Sequence, residues 1–91
     1  MKDKPRFDIL NGACAAVTDR EGVYGSPKET YDRTALIFTA ILKDKLKYDI
    51  SPADVVLLMC GVKMARLINT PEHTDSQVDL AGYASLLSEV A

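Results

Sequence analysis

Four carboxylates in two pairs offer the first chemistry in this chain. Glu29 and Asp32 are three residues apart and Asp75 and Asp79 four apart, so each pair shares one face of a helix. Carboxylates so placed suit Mg²⁺, which takes a few carboxylate oxygens and completes its shell with water and substrate phosphates. Lys63 and Arg66 supply the cations: they would hold phosphate oxygens while the metal activates a water for attack on a phosphoanhydride. On this reading Asp79 and Lys63 are the catalytic residues and Glu29, Asp32, Asp75 and Asp79 the Mg²⁺ ligands. Arg20, Tyr24, Arg33, Lys63 and Arg66 then contact the substrate. The competing reading of the same residues is structural. Glu29 is then a capping-box partner, Asp32 a surface charge, and Lys63/Arg66 with Asp75/Asp79 a salt-bridged helical hairpin.

Asp79 is the most telling of these groups, because Val78, Leu80 and Ala81 surround it and its helix is apolar around most of its circumference. A carboxylate turned toward an interior needs a cation, a metal or a dense set of donors. The segment Asp19 to Gly25 is a second candidate. Gly22 and Gly25 permit positive φ, and Arg20 and Lys28 add charge beside a helix N-terminus, a combination that suits a phosphate as well as it suits a plain turn. Tyr24 there would stack on a base or cover the end of the bundle. His73, without a Cys or second His beside it, is expected to be an exposed or capping group rather than a metal ligand. Met59 and Met64 read as packing residues, and Cys14 and Cys60 as buried, inert thiols.

The elements that must position these side chains are helices. Leu10, Ala13, Cys14 and Val17 mark a first helix over about 6–18, after which the apolar pattern is interrupted. Ser26-Pro27-Lys28-Glu29 opens a second over 27–47, with Tyr31, Ala35, Phe38 and Leu42 on its inner face and Lys43, Lys45 and Lys47 as a solvated end. Ser51-Pro52-Ala53-Asp54 opens a third over 52–68, whose run Val55 to Val62 is too short for a bilayer and reads as a buried helix segment. Thr74 with Gln77 caps a fourth over 75–90. The expected fold is all-α: a compact four-helix bundle, one domain over 1–91, with helices 3 and 4 as an antiparallel hairpin. Gly61 and Gly82 each cost about 1 kcal/mol relative to Ala within a helix, which predicts close backbone approach between helices 3 and 4.

Ninety-one residues leave no room for a multi-domain enzyme. A chain this short buries only about 60 to 68% of its unfolded surface, so a homo-oligomer, at least a dimer, is expected, with the third and fourth helices as its contact surfaces. Eleven basic against thirteen acidic residues give a net charge of -2, without the basic excess of a nucleic-acid binder. The charged start lacks the apolar core of a signal peptide, and two isolated cysteines fit a reducing compartment, so a cytoplasmic protein without membrane contact is expected.

Taken together, Asp19-Arg20, Tyr24-Gly25, Pro27-x-Glu29-x-Tyr31-x-Arg33, Lys63-x-x-Arg66-Leu67, Asp75-Ser76 and Asp79-x-Ala81-Gly82-Tyr83 resemble a largely uncharacterised family of small helical proteins of phages and prophages. The resemblance spans nearly the whole chain and implies a helical fold and phage origin. A looser similarity is to the all-alpha nucleotide pyrophosphohydrolases of the MazG and dUTPase type, which place acidic pairs around Mg²⁺ and release pyrophosphate from nucleoside triphosphates. It implies that Glu29, Asp32, Asp75 and Asp79 bind metal, although Asp75 and Asp79 are spaced by four here rather than three. Three functions are therefore expected to compete: Mg²⁺-dependent nucleotide processing, non-catalytic binding of a nucleotide or phosphorylated signal, and an oligomeric module that grips a host protein.

Overall fold

The computed structural model describes residues 5–24 and 26–90, with side chains at all of these except 21, 23 and 24. They form α1 (Pro5–Tyr24), α2 (Pro27–Ile41), a 3-10 turn (Lys43–Lys45), α3 (Pro52–Asn69) and α4 (Thr74–Val90), and no strand occurs among the described residues. The all-helical fold is as the sequence predicts. The α3/α4 hairpin makes the most extensive contact, followed by α1 on α4 and α2 on α3. No described helix is long and apolar enough to cross a membrane.

Two helix starts follow from local chemistry. Ser26 Oγ accepts the Glu29 N–H at 3.2 Å at the head of α2. At the head of α3, Ser51 Oγ accepts the Asp54 N–H at 3.1 Å while Asp54 Oδ2 accepts the Ser51 N–H at 3.0 Å, a closed capping box. The start of α4 differs from the expected Thr74 cap. Thr74 is already helical, and His73 takes the capping place: its Nδ1 accepts the Ser76 N–H at 3.3 Å and lies 2.8 Å from Ser76 Oγ. The capping role expected as one option for His73 is thus the one it fills, and Ser76 is buried with its hydroxyl satisfied.

Two helix ends also differ from expectation. α2 stops at Ile41 rather than near 47, because Lys43, Asp44 and Lys45 are all exposed and bring no apolar group that packing could hold on a helical face. Leu42 leaves helical geometry there, and the Ile50 N–H donates to Thr39 Oγ1 at 2.8 Å, which ties the connection back onto α2. α1 runs on past Thr18 to Tyr24, so Asp19 to Tyr24 form a helical end and not the expected loop. The reason lies in the spacing Ala13, Val17, Arg20, which extends one helical face by a further turn.

The core gathers Val56, Cys60 and Leu86, with Val17, Tyr31, Leu80, Tyr83, Leu87 and Val90 packed around them. Leu10 and Cys14 point outward instead, and of the run Val55 to Val62 only one side is buried: Leu57, Leu58 and Val62 are exposed. The glycines correct a further expectation. A Cβ on Gly82 would touch Val17 of α1 at 3.7 Å, and one on Gly12 would come 3.1 Å from Val78, so the close approach lies between α1 and α4. A Cβ on Gly61 would meet nothing among the described residues within 4 Å. The molecule is a slab of 50 × 31 × 19 Å whose radius of gyration, 14.7 Å, exceeds the roughly 12 Å of a compact domain this size.

Candidate functional site

All four helices contribute to a polar cluster at the edge of the core. α3 carries Lys63 on the face that packs against α4, where Lys63 Nζ meets Asp79 Oδ2 at 3.0 Å. The extended end of α1 brings Arg20, whose guanidinium lies 5.0 Å over the Tyr83 ring of α4 and 3.8 Å from Asp79 Oδ1. Tyr31 of α2 closes the group: burial, then the neighbouring Tyr83, push its hydroxyl above the ordinary 10.0, Arg20 pulls the other way, and Cys60 adds a further push. A planar guanidinium can stack on a ring and present its edge to a carboxylate at once, which a lysine in that place could not do.

The partners are unequally buried. The Lys63 side chain is 11% exposed, Asp79 26% and Arg20 39%. Lys63 and Asp79 therefore form the more buried pair, while Arg20 is more than a third exposed, with only a loose ionic contact. The expected encounter of α3 cations with α4 carboxylates is present at Lys63 and Asp79 alone. Arg66 and Asp75 are exposed and form no ion pair among the described residues. Two cations against one carboxylate leave the cluster with an excess positive charge.

The expected metal ligands are not brought together. Glu29 stands exposed at the head of α2, Asp32 pairs with Lys28 at 3.4 Å, Asp75 is exposed in the first turn of α4, and Asp79 is engaged by Lys63 and Arg20. Among the described residues no group of three or more His, Cys, Asp or Glu side chains is placed to hold a metal ion. Of the expected substrate contacts, Arg20 and Lys63 meet in the cluster and Arg33 is exposed on α2. Arg66 instead lines a cavity of about 290 Å³ with Asn69, Thr70 and His73. The Tyr24 side chain and Gly25 lie outside the described residues, and Gly22 sits within the helical end of α1, so the part of the expected cradle from Arg20 to Tyr24 is helix rather than loop.

Sequence reasoning missed Tyr31 and Tyr83 as members of the site. The signal was present in the sequence motifs, since Arg20, Tyr31, Lys63, Asp79 and Tyr83 all belong to them and all converge here. Such a cluster can orient an anion: the half-exposed guanidinium keeps N–H donors for phosphate oxygens, and Lys63 adds a charge behind it.

A family model described as "Domain of unknown function (DUF6378)" matches residues 8–91. The Gene 55 protein of Mycobacterium phage L5 is 34% identical over 83 residues, covering 91% of this chain and 47% of that protein. The Gene 55 protein of Mycobacterium phage D29 is 38% identical over 72 residues, covering 79% of this chain and 45% of that protein. The chain thus spans about half the length of the curated relatives it matches. No solved structure matches it. These matches establish the phage family and do not extend to the pyrophosphohydrolase likeness. The chain belongs to the DUF6378 family.

Proposed function

We propose that this member of a phage protein family binds a nucleotide or another phosphorylated small molecule at the Arg20–Lys63–Asp79 cluster and releases it uncleaved. One observation carries the reading. Arg20 is held over Tyr83 with its donors only loosely taken up by a carboxylate 3.8 Å away, beside a second, well-buried cation. An incoming phosphate can take those donors without dismantling the tighter Lys63–Asp79 contact. Mg²⁺-dependent pyrophosphohydrolysis, the alternative, has less support because Glu29 and Asp75 stand exposed on separate helices while Asp32 and Asp79 are each engaged by cations of the chain, so the four are not gathered around one place. The place of action proposed is the cytoplasm of the host cell.

The test is thermal unfolding of the protein against ATP, GTP, cyclic AMP and pyrophosphate, each with and without Mg²⁺, because a ligand that prefers the folded state raises the midpoint. A rise without Mg²⁺, with the ligand recovered intact, is expected. A rise that requires Mg²⁺ and comes with product would restore the enzymatic alternative, and no rise across the panel would contradict the proposal.

A further inference from the structure

Independently of what the cluster binds, we infer that the outer face of α3 is the contact surface for a second copy of this chain, with Gly61 at the crossing point. Leu57, Leu58, Val62, Met64 and Ile68 all lie on the side of α3 turned away from α4, and Leu36, Ile37 and Ile41 of α2 are bare as well. These eight side chains are 46% to 83% exposed. Their exposed apolar area is on the order of 500 Å², a large share of the roughly 800 Å² per partner in a stable complex. By contrast, the largest fully buried side chains are Val55, Val56 and Ser76. A slab so poorly filled is what remains when half of a core belongs to a partner.

Gly61 sets the geometry. Inside a helix it costs stability relative to alanine, and nothing among the described residues requires it, since a Cβ there would meet none of their atoms within 4 Å. A backbone approaching from outside would require it.

The pattern around Gly61 is also self-complementary, which points to a copy rather than to an unrelated protein. With a two-fold axis through Gly61 and the two α3 helices antiparallel, position 61+k meets 61−k. Leu57 then falls opposite the small Ala65, and Leu58 opposite Met64, so large meets small at one step and apolar meets apolar at the next. The match holds over the central turns only: at the ends Ile68 falls opposite Asp54, whose carboxylate is turned to the Ser51 N–H in its capping box.

Sedimentation equilibrium between 1 and 100 µM is the test, on the whole chain without added ligand. The wild type is expected to be dimeric in this range. The double variant Leu57→Lys/Met64→Lys is expected to have a dissociation constant raised roughly a hundredfold or more, because two apolar side chains of each copy become charged. Its helical circular dichroism should be unchanged, because both side chains face solvent within one chain. Phe7→Lys, an exposed apolar residue of α1, is the control and should leave the dimer intact. Gly61→Leu separates close approach from mere apolarity: it adds apolar area yet is expected to weaken the dimer at least tenfold. A monomeric wild type, which would leave the face to a different protein, overturns the inference. So does a dimer that survives Leu57→Lys/Met64→Lys or is tightened by Gly61→Leu.

Discussion

Replacing Asp79 by Asn probes the cluster most sharply, because it removes one charge from between two cations while keeping the side chain's shape. Lys63 would then be left 11% exposed with no counter-ion. Breaking a fully buried pair costs about 3–5 kcal/mol, whereas exposed pairs contribute under about 1. Asp79 is 26% exposed, so water reaches the vacated place, and Arg20 at 39% can turn outward. The expected loss is therefore about 2 kcal/mol. For a chain of this size that lowers the melting temperature by roughly 8–16 °C. Lys63→Met keeps the packing of the stem and leaves Asp79 with Arg20, so its cost is expected to be about 1 kcal/mol. The double variant Lys63→Met/Asp79→Asn should cost at least about 1 kcal/mol less than the two single losses together, because neither partner is then stranded. Urea unfolding followed by far-ultraviolet circular dichroism, at one protein concentration, measures all three. A loss under about 0.5 kcal/mol for Asp79→Asn, or additivity within about 0.3 kcal/mol, would refute the reasoning.

Three further outcomes follow from particular contacts. His73→Ala should cost about 1 kcal/mol through loss of the α4 cap while Thr74→Ala stays within about 0.5, and the reverse order in urea unfolding would show that Thr74 is the cap after all. Cys14 is exposed, whereas burial pushes the Cys60 thiol up, so a disulfide reagent at pH 8 should modify one thiol in the native protein and two in urea; equal native rates would contradict the assigned core. Tyr31 holds its proton more tightly folded than unfolded, so its contribution to stability is fully present below pH 10 and is lost as pH rises through its elevated folded value. Stability measured from pH 9 to 12 should therefore fall less steeply in Tyr31→Phe than in the wild type, and identical slopes would remove Tyr31 from the cluster.

Much of this was legible in the sequence where the determinants are local. The two Ser-Pro starts are fixed by a hydroxyl and the backbone N–H three residues on, and both form. The Lys63–Asp79 contact was also within reach, because a short connection between two helices forces the end of one beside the start of the next. Arg20 was harder to place. Its polarity and the nearby glycines read as a loop, and only its position three residues after Val17 marks it as part of the inner face. The third helix could be read as a contact surface, but which of its sides stays uncovered was not legible. A helix with apolar residues on nearly every side does not declare which side its own chain will cover, and the run Val55 to Val62 reads as buried throughout although half of it faces outward.

The role proposed for Arg20 and Lys63 is to receive a phosphorylated small molecule that leaves unchanged. Isothermal titration with ATP, cyclic AMP and pyrophosphate in Mg²⁺-free buffer tests it most directly, on the wild type and on Arg20→Gln, a half-exposed position whose change should leave the helical spectrum intact. Binding by the wild type of at least one of the three is expected, weakened tenfold or more in Arg20→Gln. Equal affinity in the two proteins, or no heat of binding for any of the three, would contradict it.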